Sequence, residues 1–356
     1  MKKQKRIRDY GITIGEMETG INNSITDVKE VHVGQITLNN GETKTGVTAI
    51  LPHKGNLFKK KIIGATHVIN GFGKSIGLVQ IDELGTIETP IILTNTLSAG
   101  IAADSLVRYM LKYNEDIGKD TGTINPVVCE CNDGYLNNIR NIAIEKEHIF
   151  QAINTADKTF EEGSVGAGTG MVCYGLKGGI GTASRKVFLD NKEYIVGVLV
   201  LTNFGKLEDL LIDGEKLGKK IKKEMENHST IQNKGSIIIV LATDIPLSHR
   251  QLNRVIKRVY PGISKTGSFT SSGSGEIVIG FSTANIINHY EKEDIIQIKS
   301  INENKIDEIF QGTKEATEEA ILNSLITSKT TIGRDNHKIY SLSEKLEENG
   351  INLPSH

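Results

Sequence analysis

One run of residues constrains this chain more than any other. Ser236-Ile-Ile-Ile-Val-Leu-Ala-Thr243 is apolar from its second residue to its seventh, with no alternation. An alternating strand can leave one face in water, but a strand like this must be covered on both. Residues 194–202 form a second run of the same kind. The covers are legible too. Helical periodicity runs over residues 98–113, with Ser98 as N-cap and Ile101, Leu106 and Met110 as its apolar residues. Ser248 and Gln251 form a capping box ahead of Leu252, Val255, Ile256 and Val259, and Pro261 is expected to stop that helix. A long helix is expected from about Ile306 to Thr327, carrying Ile309, Phe310, Ala316, Ala320 and Ile321. Shorter β-like runs cover residues 21–33, 45–51 and 66–71, and the glycine- and serine-rich stretch 267–275 leads into a strand over 276–282. The expectation is a mixed α/β (α+β) protein, with helical layers covering packed sheets.

Composition narrows the function. The formal net charge is −1, so no long-range field draws the chain to nucleic acid or to an anionic membrane. The basic start at residues 1–8 is followed by no apolar stretch, and no run is long enough to span a bilayer. A cytoplasmic protein is expected. Cys129, Cys131 and Cys173 have neither disulfide-framework nor zinc-finger spacing and read as buried reduced thiols. The nine histidines form no ligand cluster, so neither a metal nor a cofactor is expected. Gly71-Phe-Gly-Lys-Ser75 lacks the first glycine of a phosphate loop, because Val68 stands there, and Gly166-x-Gly168-x-Gly170 lacks the spacing of a dinucleotide fingerprint.

What remains is the junction ahead of the first run. A polar stretch, with residues 228–234 expected as an exposed loop, ends at Lys234-Gly235-Ser236 and opens straight into the buried strand. Glycine permits backbone conformations that other residues resist, and a distorted amide beside a serine hydroxyl is open to attack. Hydrolysis of the resulting ester would leave Ser236 with a free α-amine. At a reference pKa of roughly 7.7–8, that amine can serve as base to its own hydroxyl. The plain alternative is a Gly-Ser pair that merely begins a strand.

A set of motifs in order shifts that balance: Asn23-Ser-Ile-Thr-Asp-Val28, Thr45-Gly-Val-Thr48, Val68-Ile-Asn-Gly71, Glu88-Thr-Pro-Ile-Ile-Leu-Thr-Asn-Thr-Leu-Ser98, Pro126-Val-Val-Cys-Glu-Cys-Asn-Asp-Gly-Tyr-Leu-Asn137, Lys177-Gly-Gly-Ile-Gly-Thr-Ala-Ser184, Gly235-Ser236, Ala242-Thr-Asp-Ile-Pro-Leu247 and Gly273-Ser-Gly-Glu276. Through these the chain resembles the L-aminopeptidase/D-esterase and β-aminopeptidase family (DmpA-like, or P1 peptidases) from about Arg6 to Asp335. The resemblance implies a four-layer αββα sandwich of the N-terminal-nucleophile type. It implies a single domain over 1–356, processed into fragments 1–235 and 236–356. It further implies a homo-oligomer of the processed heterodimers, a tetramer above all, and a small peptide or aminoacyl-amide substrate with a free amine.

Residue by residue, the resemblance marks Gly235-Ser236 as the cleavage site and Ser236 as the nucleophile. Asn203, in Leu-Thr-Asn-Phe-Gly, would donate to the tetrahedral oxyanion, or simply satisfy a turn at a strand end. Ser274 and Glu276 lie two apart, on one sheet face, and would orient Ser236 and support proton transfer. Lys177 would sit near the nucleophile with a lowered pKa, or else be a solvated surface lysine. Glu130, a carboxylate inside the apolar run Val127-Val-Cys-Glu-Cys131, would receive the substrate ammonium or form a structural salt bridge. Asn132 would assist it. Two other readings stand beside this one: an acyltransferase of the ornithine acetyltransferase type, and an uncleaved, non-catalytic scaffold.

Overall fold

The computed structural model describes residues 4–224, 235–348 and 350. The unalternating runs become central strands. Lys192–Asn203 and Ser236–Thr243 pair antiparallel inside a six-stranded sheet, and Ser236–Thr243 pairs parallel with Gly275–Asn288 on its other side. Lys60–Gly71 with Thr86–Ile87 and Ile180–Leu189 complete that sheet at its two ends. A four-stranded sheet is built from His32–Asn40, Thr43–Leu51, Ile91–Asn95 and Val127–Cys131, in that spatial order.

Three apolar clusters separate the layers. Ile238, Val240, Leu199, Leu93 and Cys129 lie in the one between the sheets. Ile237, Ile239, Leu252, Val259, Ile309 and Ile321 lie between the six-stranded sheet and the helices His249–Ile256, Val259–Lys265 and Ile306–Ile326. Val47, Ile92 and Val128 meet Leu106, Met110 and Ile149 of the helices Ala99–Tyr113 and Lys146–Asn154. This is the four-layer αββα sandwich. Both sheets are apolar on both faces, which is why their strands do not alternate.

Local readings fare unevenly. The Ser248–Gln251 capping box forms, but Pro261 does not stop that helix. The first helix already ends at Ile256, and Pro261 sits in the opening turn of Val259–Lys265, where its missing N–H costs nothing. Ser98 caps nothing with its side chain; Asn95 accepts from the Ser98 N–H instead, one short turn earlier. Residues 21–33 are not a strand. Ser24 caps a short 3-10 turn Ile25–Asp27, Ile21 is exposed, and pairing begins only at His32. The strand expected over 276–282 runs from Gly275 to Asn288. The three cysteines are buried and unlinked. The expected loop at 228–234 lies outside the described residues.

Candidate active site

Ser236 is the first residue of its strand, buried, and paired across the sheet with Asn203, the last residue of the neighbouring strand. Cross-strand partners in an antiparallel pair project to one face, so the hydroxyl and the amide emerge together. Alternation places Ser236 with Ile238 and Val240, on the face toward the second sheet. On the other side Ser236 stands level with Gly275. A Cβ on Gly275 would lie 2.5 Å from the Phe72 carbonyl, too close to be tolerated, and would crowd Ser236 Oγ at 3.3 Å.

Gly235 is buried too, and its role differs from the sequence expectation. Its φ is not in the left-handed region. Glycine is required there for space, because a Cβ would come within 2.5 Å of the Asn203 carbonyl and 2.6 Å of Phe204 Cα. The Gly235 carbonyl accepts a hydrogen bond from the Gly275 N–H at 3.1 Å.

The Asn203 amide is fixed at both ends. Its Oδ1 accepts from the Val172 N–H at 2.9 Å, and its Nδ2 donates to the Asn132 carbonyl at 3.0 Å. Nδ2 carries a second N–H. Asn132 thus contributes its backbone to this site; its exposed side chain accepts from the Gly134 N–H.

Ser274 and Glu276 do share a face, and the serine hydroxyl donates to Glu276 Oε1. That face is the helix side, with Val278, whereas Gly275 between them shares the face of Ile277 and Ser236. Burial pushes the Glu276 carboxyl up, against the hydrogen bond from Ser274. Its second oxygen, with the hydroxyls of Thr270 and Ser271 in the preceding loop, is buried without a hydrogen-bond partner among the described residues. A small cavity lined by Lys206, Asp209, Phe269, Thr270, Ser271 and Ser274 opens beside the pair.

Lys177 is fully buried, which removes the surface-lysine alternative. Burial lowers its pKa to about 7, against the opposing charge of Asp133. Its ammonium donates to three backbone carbonyls, Gly168 at 3.0 Å, Met171 at 2.9 Å and Gly178 at 2.6 Å. It therefore reaches Ser236 through the backbone around Asn203 and not by its own hydrogen bonds. Asp133 was missed. It lies inside a quoted motif, yet nothing in the sequence says that a carboxylate next to Asn132 is fully buried, held up to about 7 by that burial and left with one oxygen unpartnered.

Glu130 comes from the other sheet. It is buried, accepts from the Lys74 N–H at 2.8 Å and from the Thr96 hydroxyl, and among the described residues has no ion-pair partner. The structural salt bridge is therefore not formed. The Gly71-Phe-Gly73 turn carries the connection to the nucleophile: a Cβ on Gly73 would lie 3.0 Å from Ile277 and 3.6 Å from Glu130 Oε1. Among the described residues no group of three or more metal-ligating side chains gathers, and no helix is long and apolar enough to cross a membrane.

The chain and its fold have known counterparts. The profile of Peptidase family S58 matches residues 23–339. A β-peptidyl aminopeptidase, BapA, of Sphingosinicella microcystinivorans is 36% identical over 95% of this chain and 89% of its own length. A Pyrococcus horikoshii protein of known structure is 50% identical, with a TM-score of 0.92 and 98% of each chain covered. The L-aminopeptidase D-Ala-esterase/amidase of Ochrobactrum anthropi, described as a prototype of the serine aminopeptidases and a variant of the Ntn hydrolase fold, is 32% identical, with a TM-score of 0.89 over 98% of this chain and 99% of that one.

Proposed function

Because the chain belongs to peptidase family S58 and is an aminopeptidase, we propose that it cuts its own Gly235–Ser236 bond and then hydrolyses peptides, amides or esters bearing a free amine through an acyl ester on Ser236. The observation that carries this reading is the strand start. The Ser236 hydroxyl sits level with Gly275 and opposite Asn203, while the Gly235 carbonyl already accepts from the Gly275 N–H. The comparisons favour neither an acetyltransferase nor a non-catalytic scaffold.

In scission, Ser236 Oγ would attack the Gly235 carbonyl carbon. The Gly275 N–H would hold the developing charge, the C–N bond would break, and its nitrogen would leave as the new amine, taking up the proton that the hydroxyl gives up. Water would then release fragment 1–235 from the ester and fragment 236–356 with it. In the mature site the Ser236 amine would take the hydroxyl proton, with Ser274 and Glu276, on the opposite face of the sheet from the Ser236 side chain, supporting the transfer only through that amine, a main-chain group open to either face. The free N–H of Asn203 would donate to the oxyanion of each substrate.

Glu130 supports the free-amine requirement. A buried carboxylate costs several kcal/mol, roughly, when it has no counter-ion, and a substrate ammonium would supply one. Asn132 would line the same end. BapA is named for β-peptides, and a β-aminoacyl group would place its ammonium one carbon further toward Glu130. We place the enzyme in the cytoplasm, consistent with three unlinked cysteines. We expect a homo-oligomer of processed heterodimers, a tetramer above all, with Phe72, Val79 and Phe269 as exposed apolar contacts.

A matched panel of α- and β-aminoacyl p-nitroanilides, each free and N-acetylated, tests the amine claim. The free forms should be cleaved at least about 10²-fold faster, and Glu130→Gln should narrow the gap by losing the free substrate. Equal rates on acetylated and free substrates would sink the aminopeptidase role of Glu130.

A further inference from the structure

Lys177 and Asp133 are both fully buried, on the two sides of Asn203, and nothing in the chemistry above uses either one directly. Each stands next to a backbone group that orients the Asn203 amide. Val172, whose N–H binds Asn203 Oδ1, is the register partner of Lys177 in a two-residue ladder, and it follows Met171, whose carbonyl binds the Lys177 ammonium. Asn132, whose carbonyl takes the Asn203 N–H, immediately precedes Asp133. The turn between them lies directly on Asp133: a Cβ on Gly170 would come within 2.9 Å of Asp133 Cβ and 2.1 Å of the Lys44 carbonyl.

The chemistry of that turn requires a cation. The carbonyls of Gly168, Met171 and Gly178 converge on one point, and the Lys177 ammonium answers all three. Without it their aligned dipoles would repel, the turn would open, and the Val172 N–H would move. The amide has no second orientation to fall back on. Turned over, it would set its oxygen against the Asn132 carbonyl and its nitrogen against the Val172 N–H. An oxyanion donor is useful only when held within about half an ångström of its productive place.

We propose that Lys177 and Asp133 form a buried positioning pair that locks the Asn203 amide with its free N–H toward the oxyanion, and that neither exchanges a proton with substrate. This rests on the assignment of Asn203 as oxyanion donor.

The test is a double-mutant cycle on the full chain, with kcat per processed chain and the rate of Gly235–Ser236 scission both measured. Asn203→Ala should lower kcat by roughly 10²–10³-fold. Lys177→Met should lower it by roughly 10–100-fold with KM within about twofold, because the substrate's ammonium site is untouched. In the Asn203→Ala background the same Lys177→Met change should cost less than about threefold, since the amide it positions is gone. Asp133→Asn should repeat the pattern, and it carries the comparison if Lys177→Met does not fold. Equal factors in both backgrounds would overturn the positioning role while leaving Asn203 in the mechanism. An Asn203→Ala enzyme with unchanged kcat would overturn both.

Discussion

Beneath the helix Ile306–Ile326, Arg185 is fully buried with each of its three nitrogens partnered: it binds Glu315 at 3.0 Å, Glu319 at 2.7 Å and the carbonyls of Ser184 and Ile14 at 2.8 and 2.7 Å. Glu319 also takes Arg8 at 2.7 Å. Around Ser236 the molecule buries charge differently. Among the described residues, one oxygen of Asp133, one of Glu276 and the hydroxyls of Thr270 and Ser271 have no hydrogen-bond partner, and Glu130 has only the Lys74 N–H and the Thr96 hydroxyl, with no cation. The first cluster ties the N-terminal segment to the helix layer. The second leaves polar atoms in waiting, each at a cost that a substrate or a moving proton can recover. The pKa directions agree. Burial alone would raise Glu319, but its Arg8 and Arg185 partners lower it, whereas burial wins at Glu276 and raises it.

The contrast can be broken most forcefully in the paired cluster. Arg185→Met should cost about 3–5 kcal/mol, because it leaves Glu315 buried without a cation and Glu319 with Arg8 alone. Urea denaturation should show the loss, while kcat per folded molecule stays near wild type. A mutant that keeps its stability and loses turnover would reverse the roles of the two regions.

The mirror-image change is Asn203→Ala. Its loss of about 2.7–4 kcal/mol should fall on the transition state, with a smaller fall in stability of about 1–3 kcal/mol from the Val172 N–H and Asn132 carbonyl left unpaired. A midpoint that falls as far as for Arg185→Met would mean that Asn203 is structural.

A smaller effect sharpens the comparison inside one helix. Glu318 adjoins Glu319, but burial raises its carboxyl to about 6, against the charges of Lys265 and Lys314. Its folded pKa lies above the unfolded value, so the native state holds the extra proton and stability falls as pH rises from about 4.5 to about 6. Glu318→Gln should therefore add about 1 kcal/mol at pH 7, allowing for partial solvent contact, and almost nothing at pH 4. Equal gains at both pH values would show that its charge is not the cause.

How much of this was legible in the chain follows from the range of the forces involved. Strands 194–202 and 236–243 were readable because burial on both faces writes itself into consecutive residues. Residues 21–33 misled because their β-branched residues serve isolated contacts, such as Ile25 and Val28 in the core, with no ladder to join. Gly235 was singled out for backbone freedom, yet it is required for space, since the obstructing atoms belong to Asn203 and Phe204, more than thirty residues away in sequence. Lys177 was found and its setting was not: the Gly168–Met171 turn folds back over it, so that two carbonyls of that turn and the carbonyl of Gly178 make its site. Asp133 was invisible for the same reason.

The account stands on the bond before Ser236, and intact mass spectrometry of the freshly purified and the incubated protein tests it most directly. It predicts two species, one ending at Gly235 and one beginning at Ser236, with Ser236→Ala remaining a single chain. A wild-type protein that stays whole after long incubation and still cleaves aminoacyl amides would contradict it.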